Sequence, residues 1–156
     1  MKEIKGDLIH LAKQGEFDII AHGCNCFCKM GSGIAKQIAV EIPDASRVDS
    51  LTKPGDINKL GNYTVAKIFN GGKEVGIILN CYTQYGYKSR FKPNLKPIDY
   101  EALTLCLRKI NHNYKGKKIG LPLIGAGLAG GDWNIIKQII EGELKDMDTT
   151  IVHFEK

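Results

Sequence analysis

The sequence has no long hydrophobic run and no recognisable secretion signal. Its longest apolar stretches are short, as at residues 76–79, whereas a membrane-spanning helix needs roughly 18 or more apolar residues. No charged segment followed by an apolar one precedes the five cysteines, and an odd number of cysteines cannot all pair. We therefore expect a protein of the reducing cytoplasm that does not act at a membrane.

Basic runs are also scarce. The chain has 22 Lys and Arg against 17 Asp and Glu, a net charge of +5, and no basic run is longer than the pair Lys117-Lys118. This charge suits an anionic ligand but falls well short of a nucleic-acid-binding tail. Internal repeats, linkers and low-complexity segments are absent as well, which predicts a single domain over residues 1–156.

Glycine, in contrast, is abundant. The chain has 18 glycines in 156 residues, where the average usage of about 7% would give roughly 11. Proline and serine, which accompany glycine in disordered segments, are not enriched, so the extra glycines belong where the backbone bends or approaches a ligand. Seven glycines fall in two loop regions, at residues 23–33 and 125–131: Gly23, Gly31, Gly33, Gly125, Gly127, Gly130 and Gly131.

Strand-like and helix-like segments alternate along the chain. A turn at residues 70–73 joins two of the strands into an antiparallel hairpin, because its glycines allow the positive φ that such a turn needs. This order predicts an α/β protein with a three-layer α/β/α fold and a mixed, mostly parallel sheet of about six strands. The predicted strands cover residues 1–5, 17–22, 63–69, 74–79, 118–123 and 149–154, and the predicted helices cover residues 33–42, 97–113 and 132–145.

The two glycine loops, at residues 30–33 and 125–131, occupy the same kind of position. Each follows a buried strand and opens a helix, which places it at the carboxyl edge of an open α/β sheet. Backbone amides and a helix N-terminus at such a loop can bind phosphate, so two loops facing one crevice suit a diphosphate. Tight turns without a ligand remain the alternative. Gly125, Gly127 and Gly130 also match the dinucleotide-binding fingerprint G-x-G-x-x-G. Only one predicted helix and one predicted strand follow them, however, so the βαβ units that this fingerprint should open do not fit in the remaining sequence.

A metal site is not expected. The pattern Cys24-x-Cys26-x-Cys28 has too short a spacing for paired zinc ligands, and no second pair of ligands follows it. Acidic residues do not cluster at either glycine loop, so the sequence offers no magnesium cage. We predict chemistry without a metal or another cofactor, and we interpret the three cysteines as small loop thiols without an assigned role.

A histidine and an amide lie next to the first glycine loop. His22 ends a buried strand, and Asn25 follows three residues later. This order places a titratable group and a neutral hydrogen-bonding group at the predicted phosphate crevice. A core histidine with its hydrogen bonds satisfied is the alternative interpretation.

Four separated motifs resemble those of the macrodomain family of ADP-ribose-binding modules. Each motif is weak alone, but their order and spacing together are specific and extend over essentially the whole chain. They are Gly6-Asp7-Leu8; His22-x-Cys24-Asn25-Cys26 leading into residues 30–35; Asn80-Cys81-Tyr82-Thr83-Gln84; and residues 121–128 with Trp133.

The resemblance implies a binding role for particular residues. Asp7 would accept a hydrogen bond from the adenine amino group, Leu8 would offer its backbone amide, and Phe154 would stack on the ring. Asn25 would contact the distal ribose. The remaining implied ligand residues belong to the two glycine loops and the Tyr-Thr-Gln segment: Gly31, Ser32, Gly33, Ile34, Ala35, Thr83, Gln84, Gly125, Ala126, Gly127 and Leu128.

Within the family, the motifs are most similar to the branch that includes ADP-ribose-1''-phosphate phosphatases. The resemblance therefore implies a monomer that binds ADP-ribose and hydrolyses the terminal phosphate of ADP-ribose-1''-phosphate. Among the catalytic candidates His22, Asn25 and Asp132, we expect His22 to be the acid or base, with Asp132 as the second choice.

Two other activities remain alternatives. A neighbouring branch removes ADP-ribose from modified protein or nucleic acid, and nucleic acid is expected only as such a substrate. That branch uses a lysine and an acidic residue where this chain has Gln84 and Ala129, with Lys88 a few residues later. A reader that binds ADP-ribose without turnover is the other alternative. Tyr85 and Tyr87 are equally compatible with ligand contact and with loop packing.

Overall fold

A six-stranded mixed sheet forms the centre of the molecule. The computed structural model describes residues 1–87 and 94–155. The strands are β1 (Lys2–Gly6), β2 (Ile19–Cys24), β3 (Tyr63–Asn70), β4 (Lys73–Tyr82), β5 (Lys118–Leu121) and β6 (Asp148–Phe154), in the order β1-β6-β5-β2-β4-β3. All neighbours are parallel except β3 and β4, which form the antiparallel hairpin. The predicted mixed, mostly parallel sheet is confirmed.

Helices cover both faces of this sheet. They are α1 (Leu8–Lys13), α2 (Gly33–Glu41), α3 (Pro43–Ser50), α4 (Tyr100–Asn113) and α5 (Trp133–Glu143), with one 3-10 turn at Ile57–Lys59. Helices α1 to α3 pack with one apolar cluster and helices α4 and α5 with the other, which confirms the three layers. None of the helices in the described ranges has the length and apolar character needed to cross a bilayer.

The central strand β2 separates the two cores. Ile19 and Ala21 pack toward α4 and α5, whereas Ile20 packs toward α1 to α3. This alternation follows from the period of two in a β-strand, and its almost unbroken apolar character follows from burial on both faces. The buried strand predicted at residues 17–22 is thereby confirmed, although it begins and ends two residues later than predicted.

Several element boundaries differ from the predicted ones. The helix expected from residue 97 begins at Tyr100, because the carboxylate of Asp99 accepts a hydrogen bond from the Ala102 amide and caps it. Pro43 ends α2, as expected, but it also begins α3, which the sequence did not indicate. Proline fits a first helical position because the missing N–H has no partner there.

The parallel strands end at one edge of the sheet. Asp7 follows β1, Asn25 follows β2, Thr83 follows β4 and Pro122 follows β5, while Phe154 ends β6. The connections after these strands therefore converge there, as in other open α/β sheets. Both glycine loops lie at this carboxyl edge.

The close packing of β5 against α1 generates a stability prediction. A Cβ on Gly120 would lie 2.8 Å from Phe17 and 2.9 Å from Leu8, and both side chains are buried. We expect Gly120→Ala to lower the free energy of unfolding by about 1–3 kcal/mol through overpacking. Chemical denaturation measures this change.

Gly142→Ala is the matched control. A Cβ at this position in α5 has no heavy atom within 4 Å, so helix propensity should make the variant more stable by about 0.5–1 kcal/mol. Equal stability of the two variants would contradict the described packing of β5.

Candidate functional site

Two adjoining clefts form one groove along the carboxyl edge. The glycine-loop cleft has a volume of about 350 Å³ and the β6 cleft a volume of about 340 Å³. Both are lined by Gly33, Ile34, Pro122 and Leu123, which makes them continuous. The glycine-loop cleft is further lined by Gly23, Cys24, Asn25, Lys29, Met30, Ser32, Ala35, Gln84, Tyr87, Ile124, Gly125, Gly127, Leu128 and Ala129, and the β6 cleft by Asp7, Leu8, Ile9, Gln37, Val152 and Phe154.

The first glycine loop presents an open helix N-terminus to the groove. Helix α2 begins at Gly33, whose φ of +60° favours glycine. Ser32 precedes it but makes no side-chain capping bond, and the first turn contains no acidic residue. The amides of the first turn and the positive end of the helix dipole are therefore available to an anion.

The second glycine loop is closed by its own backbone. The Gly131 amide donates to the Gly125 carbonyl oxygen at 2.8 Å, and a Cβ on Gly131 would lie only 2.6 Å from that oxygen. Gly127 lines the cleft, and a Cβ there would meet no protein atom within 4 Å. Glycine at 131 is thus required by the loop itself, whereas glycine at 127 leaves space beside the groove.

Helix α5, which follows this loop, differs from α2. Its N-cap Asp132 accepts a hydrogen bond from the Asn134 amide at 2.9 Å, so a carboxylate already faces the helix N-terminus. Asp132 is exposed and does not line the groove among the described residues. The structure therefore explains Asp132 as a helix cap, and only the first of the two predicted helix termini is open.

The β6 cleft brings a carboxylate and an aromatic ring together. Asp7 is the N-cap of α1, and its Oδ1 accepts hydrogen bonds from Ile9 at 3.1 Å and His10 at 3.2 Å. Phe154 lies across the same cleft with 61% of its surface exposed. The groups that the family resemblance assigns to a purine thus line one cavity.

His22 is not part of the groove lining. Its side chain is fully buried, and Nε2 lies 2.7 Å from Oδ1 of Asn80. Burial lowers the pKa of His22 to about 4 and outweighs the opposing effect of the hydrogen bond to Asn80, so the ring is neutral at pH 7. The alternation along β2 explains this position, because residue 22 faces the same side as Ile20. Direct contact with a bound ligand, as expected from the sequence, is not what the structure provides.

Cys24 and Asn25, which follow this histidine closely in the chain, do line the groove. The Cys24 thiol is 3.5 Å from Nε2 of His22, and burial raises its pKa, so the thiol stays protonated. Asn25 accepts a hydrogen bond from the Phe27 amide at 2.9 Å and donates one to the Lys29 carbonyl at 2.9 Å. The Asn25 side chain therefore stabilises the conformation of the loop at residues 25–29, and Asn25 also lines the cleft.

The Tyr-Thr-Gln segment contributes only in part. Gln84 lines the glycine-loop cleft, whereas Thr83 is buried and lies outside the described lining. The Tyr85 hydroxyl donates to the Gly55 carbonyl at 2.8 Å, so this side chain supports loop packing. Tyr87 lines the cleft instead. Lys88 lies outside the described residues.

Lys29 is the main feature that the sequence reasoning missed. This exposed lysine lines the glycine-loop cleft, together with its neighbour Met30. Its position between Asn25 and the first glycine loop was a usable signal, but nothing in the local sequence shows where the side chain lies. In the part of the chain that the structure describes, no group of three His, Cys, Asp or Glu side chains is arranged to bind a metal.

Comparison with known sequences gives two full-length relatives, while no family model matches the chain. An uncharacterised 17.5 kDa protein from the tk-vs intergenic region of enterobacteria phage T4 is 37% identical over 161 residues, which covers 99% of this chain and 97% of that protein. An ADP-ribose 1''-phosphate phosphatase of Lodderomyces elongisporus is 25% identical over 158 residues, which covers 97% of this chain and 96% of that protein.

Solved structures share the fold at lower identity. The macrodomain of Thermus aquaticus DarG superposes with a TM-score of 0.71 at 18% identity, and the superposition covers 99% of this chain and 97% of the DarG chain. Thermosipho africanus DarTG in complex with ADP-ribose superposes with a TM-score of 0.73 at 17% identity, and the superposition covers 99% of this chain and 42% of the DarTG chain. The sheet order and these likenesses together show that the chain has the macrodomain fold.

Proposed function

We propose that the protein binds ADP-ribose along the groove and hydrolyses the terminal phosphate of ADP-ribose-1''-phosphate. The adenine lies in the β6 cleft, the diphosphate beside the two glycine loops, and the distal ribose with its phosphate in the glycine-loop cleft. The choice of ADP-ribose as the ligand is supported by the similarity to DarTG, which was solved in complex with ADP-ribose. The choice of reaction is supported by the Lodderomyces relative, which is named ADP-ribose 1''-phosphate phosphatase.

The adenine end requires an acceptor and an aromatic face. Both capping bonds of Asp7 involve Oδ1, which leaves Oδ2 to accept from the adenine amino group. The exposed ring of Phe154 offers a face for stacking. In the middle of the groove, the uncapped first turn of α2 supplies amides for a phosphate.

One observation carries the proposed reaction. Among the described residues, the glycine-loop cleft is lined by one cation, Lys29, and by no carboxylate. A terminal phosphate brings up to two negative charges, and this cleft would attract them with a lysine and backbone amides. A neutral glycosidic bond would gain no comparable stabilisation from the same groups.

The reaction itself makes modest demands on side chains. Water attacks phosphorus opposite the 1''-oxygen and gives up a proton to solvent, the bond between phosphorus and the 1''-oxygen breaks, and the ribose oxygen leaves with a proton taken from solvent. The transition state of such a transfer is loose, so positioning and electrostatic stabilisation provide most of the acceleration. The amides of the glycine loops and Lys29 would stabilise the charge that develops on the phosphoryl and leaving oxygens.

Glycoside cleavage by a lysine and a carboxylate is not favoured. The two positions implied for those groups do line the cleft, but they hold Gln84 and Ala129, neither of which can ionise. Asp132, the acid closest in sequence to the second loop, caps α5. The alternative activities therefore serve as outcomes of the tests below.

The central prediction concerns the product. Purified protein should release inorganic phosphate from ADP-ribose-1''-phosphate in the presence of a chelator, and calorimetry should detect binding of ADP-ribose. Release of free ADP-ribose from an ADP-ribosylated acceptor would instead indicate a glycohydrolase. Binding without either product would identify a reader.

Lys29 should matter for the phosphate end of the ligand. We expect Lys29→Met to lower kcat/KM for phosphate release about fivefold or more, because one charge-assisted contact near the surface contributes about 1 kcal/mol. Lys36→Met is the matched control, since Lys36 lies on α2 outside the groove lining and loses the same charge. An equal effect of both substitutions would show that only the overall charge matters.

The space beside Gly127 should be needed by the ligand and not by the fold. Because a Cβ at this position meets no protein atom, Gly127→Val should keep the Tm close to that of the wild type while weakening ADP-ribose binding about tenfold through steric overlap. Calorimetry and thermal unfolding measure the two effects. Gly131→Ala is the control and should lower the Tm, because its Cβ would overlap the loop backbone. Undiminished ADP-ribose affinity in Gly127→Val would argue against this placement of the ligand.

A further inference from the structure

A buried chain of hydrogen bonds connects His22 to a carboxylate. Nε2 of His22 lies 2.7 Å from Oδ1 of Asn80, and Nδ2 of Asn80 lies 3.1 Å from the Thr64 hydroxyl. The Thr64 hydroxyl is 3.2 Å from the hydroxyl of Tyr82, which is 2.8 Å from Oδ1 of Asp49. Thr64 is half-buried and the other members are buried. We call Asn80, Thr64, Tyr82 and Asp49 the relay.

The backbone of α3 fixes the proton on His22. Nδ2 of Asn80 also donates to the carbonyl oxygen of Ala45 at 3.0 Å. A carbonyl can only accept, so the amide nitrogen must face α3 and the amide oxygen must face the imidazole. Because that oxygen accepts, Nε2 of the neutral ring carries the hydrogen and Nδ1 does not.

The remaining bonds then have one direction. Asn80 donates to Thr64, so the Thr64 hydrogen is free to donate to Tyr82. Burial raises the pKa of Tyr82, so its phenol keeps the proton and donates it to Asp49. Every bond from His22 onward thus points toward the Asp49 carboxylate, an arrangement in which successive bonds polarise one another.

The charged groups around the relay agree with this direction. Burial raises the pKa of Asp49, while the bond from Tyr82 and the charge of Lys59 oppose that increase. The Lys59 ammonium lies 5.2 Å from the centre of the Tyr82 ring and 2.9 Å from the Thr52 hydroxyl. The carboxylate therefore has both a hydrogen-bond donor and a nearby positive charge.

A thiol that lines the groove lies against the imidazole ring. The Cys24 thiol lies 3.9 Å from Nδ1 and 3.5 Å from Nε2, and Cys24 lines the glycine-loop cleft between Gly23 and Asn25. Because the sulfur is closer to Nε2 than to Nδ1, the thiol packs against the ring and does not bond Nδ1 alone. A ring with a fixed orientation therefore holds the Cys24 side chain in one position beside the cleft.

We propose that the relay holds His22 in the tautomer with its proton on Nε2, and that the fixed ring positions Cys24 in the lining of the glycine-loop cleft, where the phosphate is hydrolysed. His22 and the relay act here as positioning residues beneath the site, without touching the substrate. The catalytic half of this inference rests on the proposed phosphatase function, and the tautomer does not. Misplacement of reacting groups by about 1 Å can cost on the order of 100-fold in rate, so a distant support can be important.

The tautomer can be observed directly in the wild-type chain. With 15N-labelled histidine at pH 7, we expect His22 to give the NMR correlation pattern of a neutral ring with hydrogen on Nε2. His22→Asn identifies the signal. A neutral ring with hydrogen on Nδ1, or a mixture of both forms, would overturn the relay whatever activity the protein has.

The connection to the groove is tested by a matched pair of variants. Thr64→Val keeps the shape of threonine but removes the hydroxyl, whereas Thr64→Ser keeps the hydroxyl. We expect Thr64→Val to lower kcat for phosphate release about tenfold with KM within about twofold, and Thr64→Ser to retain most of the wild-type kcat. Assays run well below the Tm of each variant separate this effect from unfolding.

The two proposals can fail separately. If Thr64→Val has the kcat of the wild type, the relay does not position the site. If the wild-type protein releases no phosphate, the phosphatase proposal fails. Calorimetry with ADP-ribose then compares the same two variants, and equal affinities would overturn the positioning role.

Discussion

The parallel placement of β2 between β4 and β5 is the constraint on which the rest of the structure depends. Ile19 pairs with Ile77 of β4 on one side and with Ile119 of β5 on the other. Because the three strands run in the same direction, their following loops leave from one edge of the sheet. The loop that begins at Asn25, the Tyr-Thr-Gln segment and the second glycine loop meet there although they are far apart in the sequence.

The same strand also divides apolar packing from polar support. Its first residues alternate between the two cores, and the alternation continues to His22, which enters the layer beneath α3. A neutral histidine at this depth needs a hydrogen-bond partner, and Asn80, its neighbour in register on β4, provides one. His22 and Asn80 therefore lie beneath the groove. They connect Cys24, which lines the groove, with the backbone of α3.

Local patterns were sufficient for most of the fold. The apolar run of β2, the glycine turn between β3 and β4, and the helical spacing before Pro43 are all signals within a few residues. The predicted helix start at residue 132 also agrees with the structure, in which Asp132 caps α5. The start of α4 was misplaced because Pro97 and Asp99 both fit a helix start, and the choice depends on which side chain reaches the first amides.

The sequence by itself determined the strands, most of the helices and the glycine loops, because each depends on residues that are close in the chain. Only the tertiary structure decided which of these residues reach the groove. It places Lys29 in the cleft lining, buries His22 beneath it, and assigns the Asp132 carboxylate to a helix end. Side-chain direction and burial depend on partners such as Asn80, 58 positions from His22, and no local pattern contains that information.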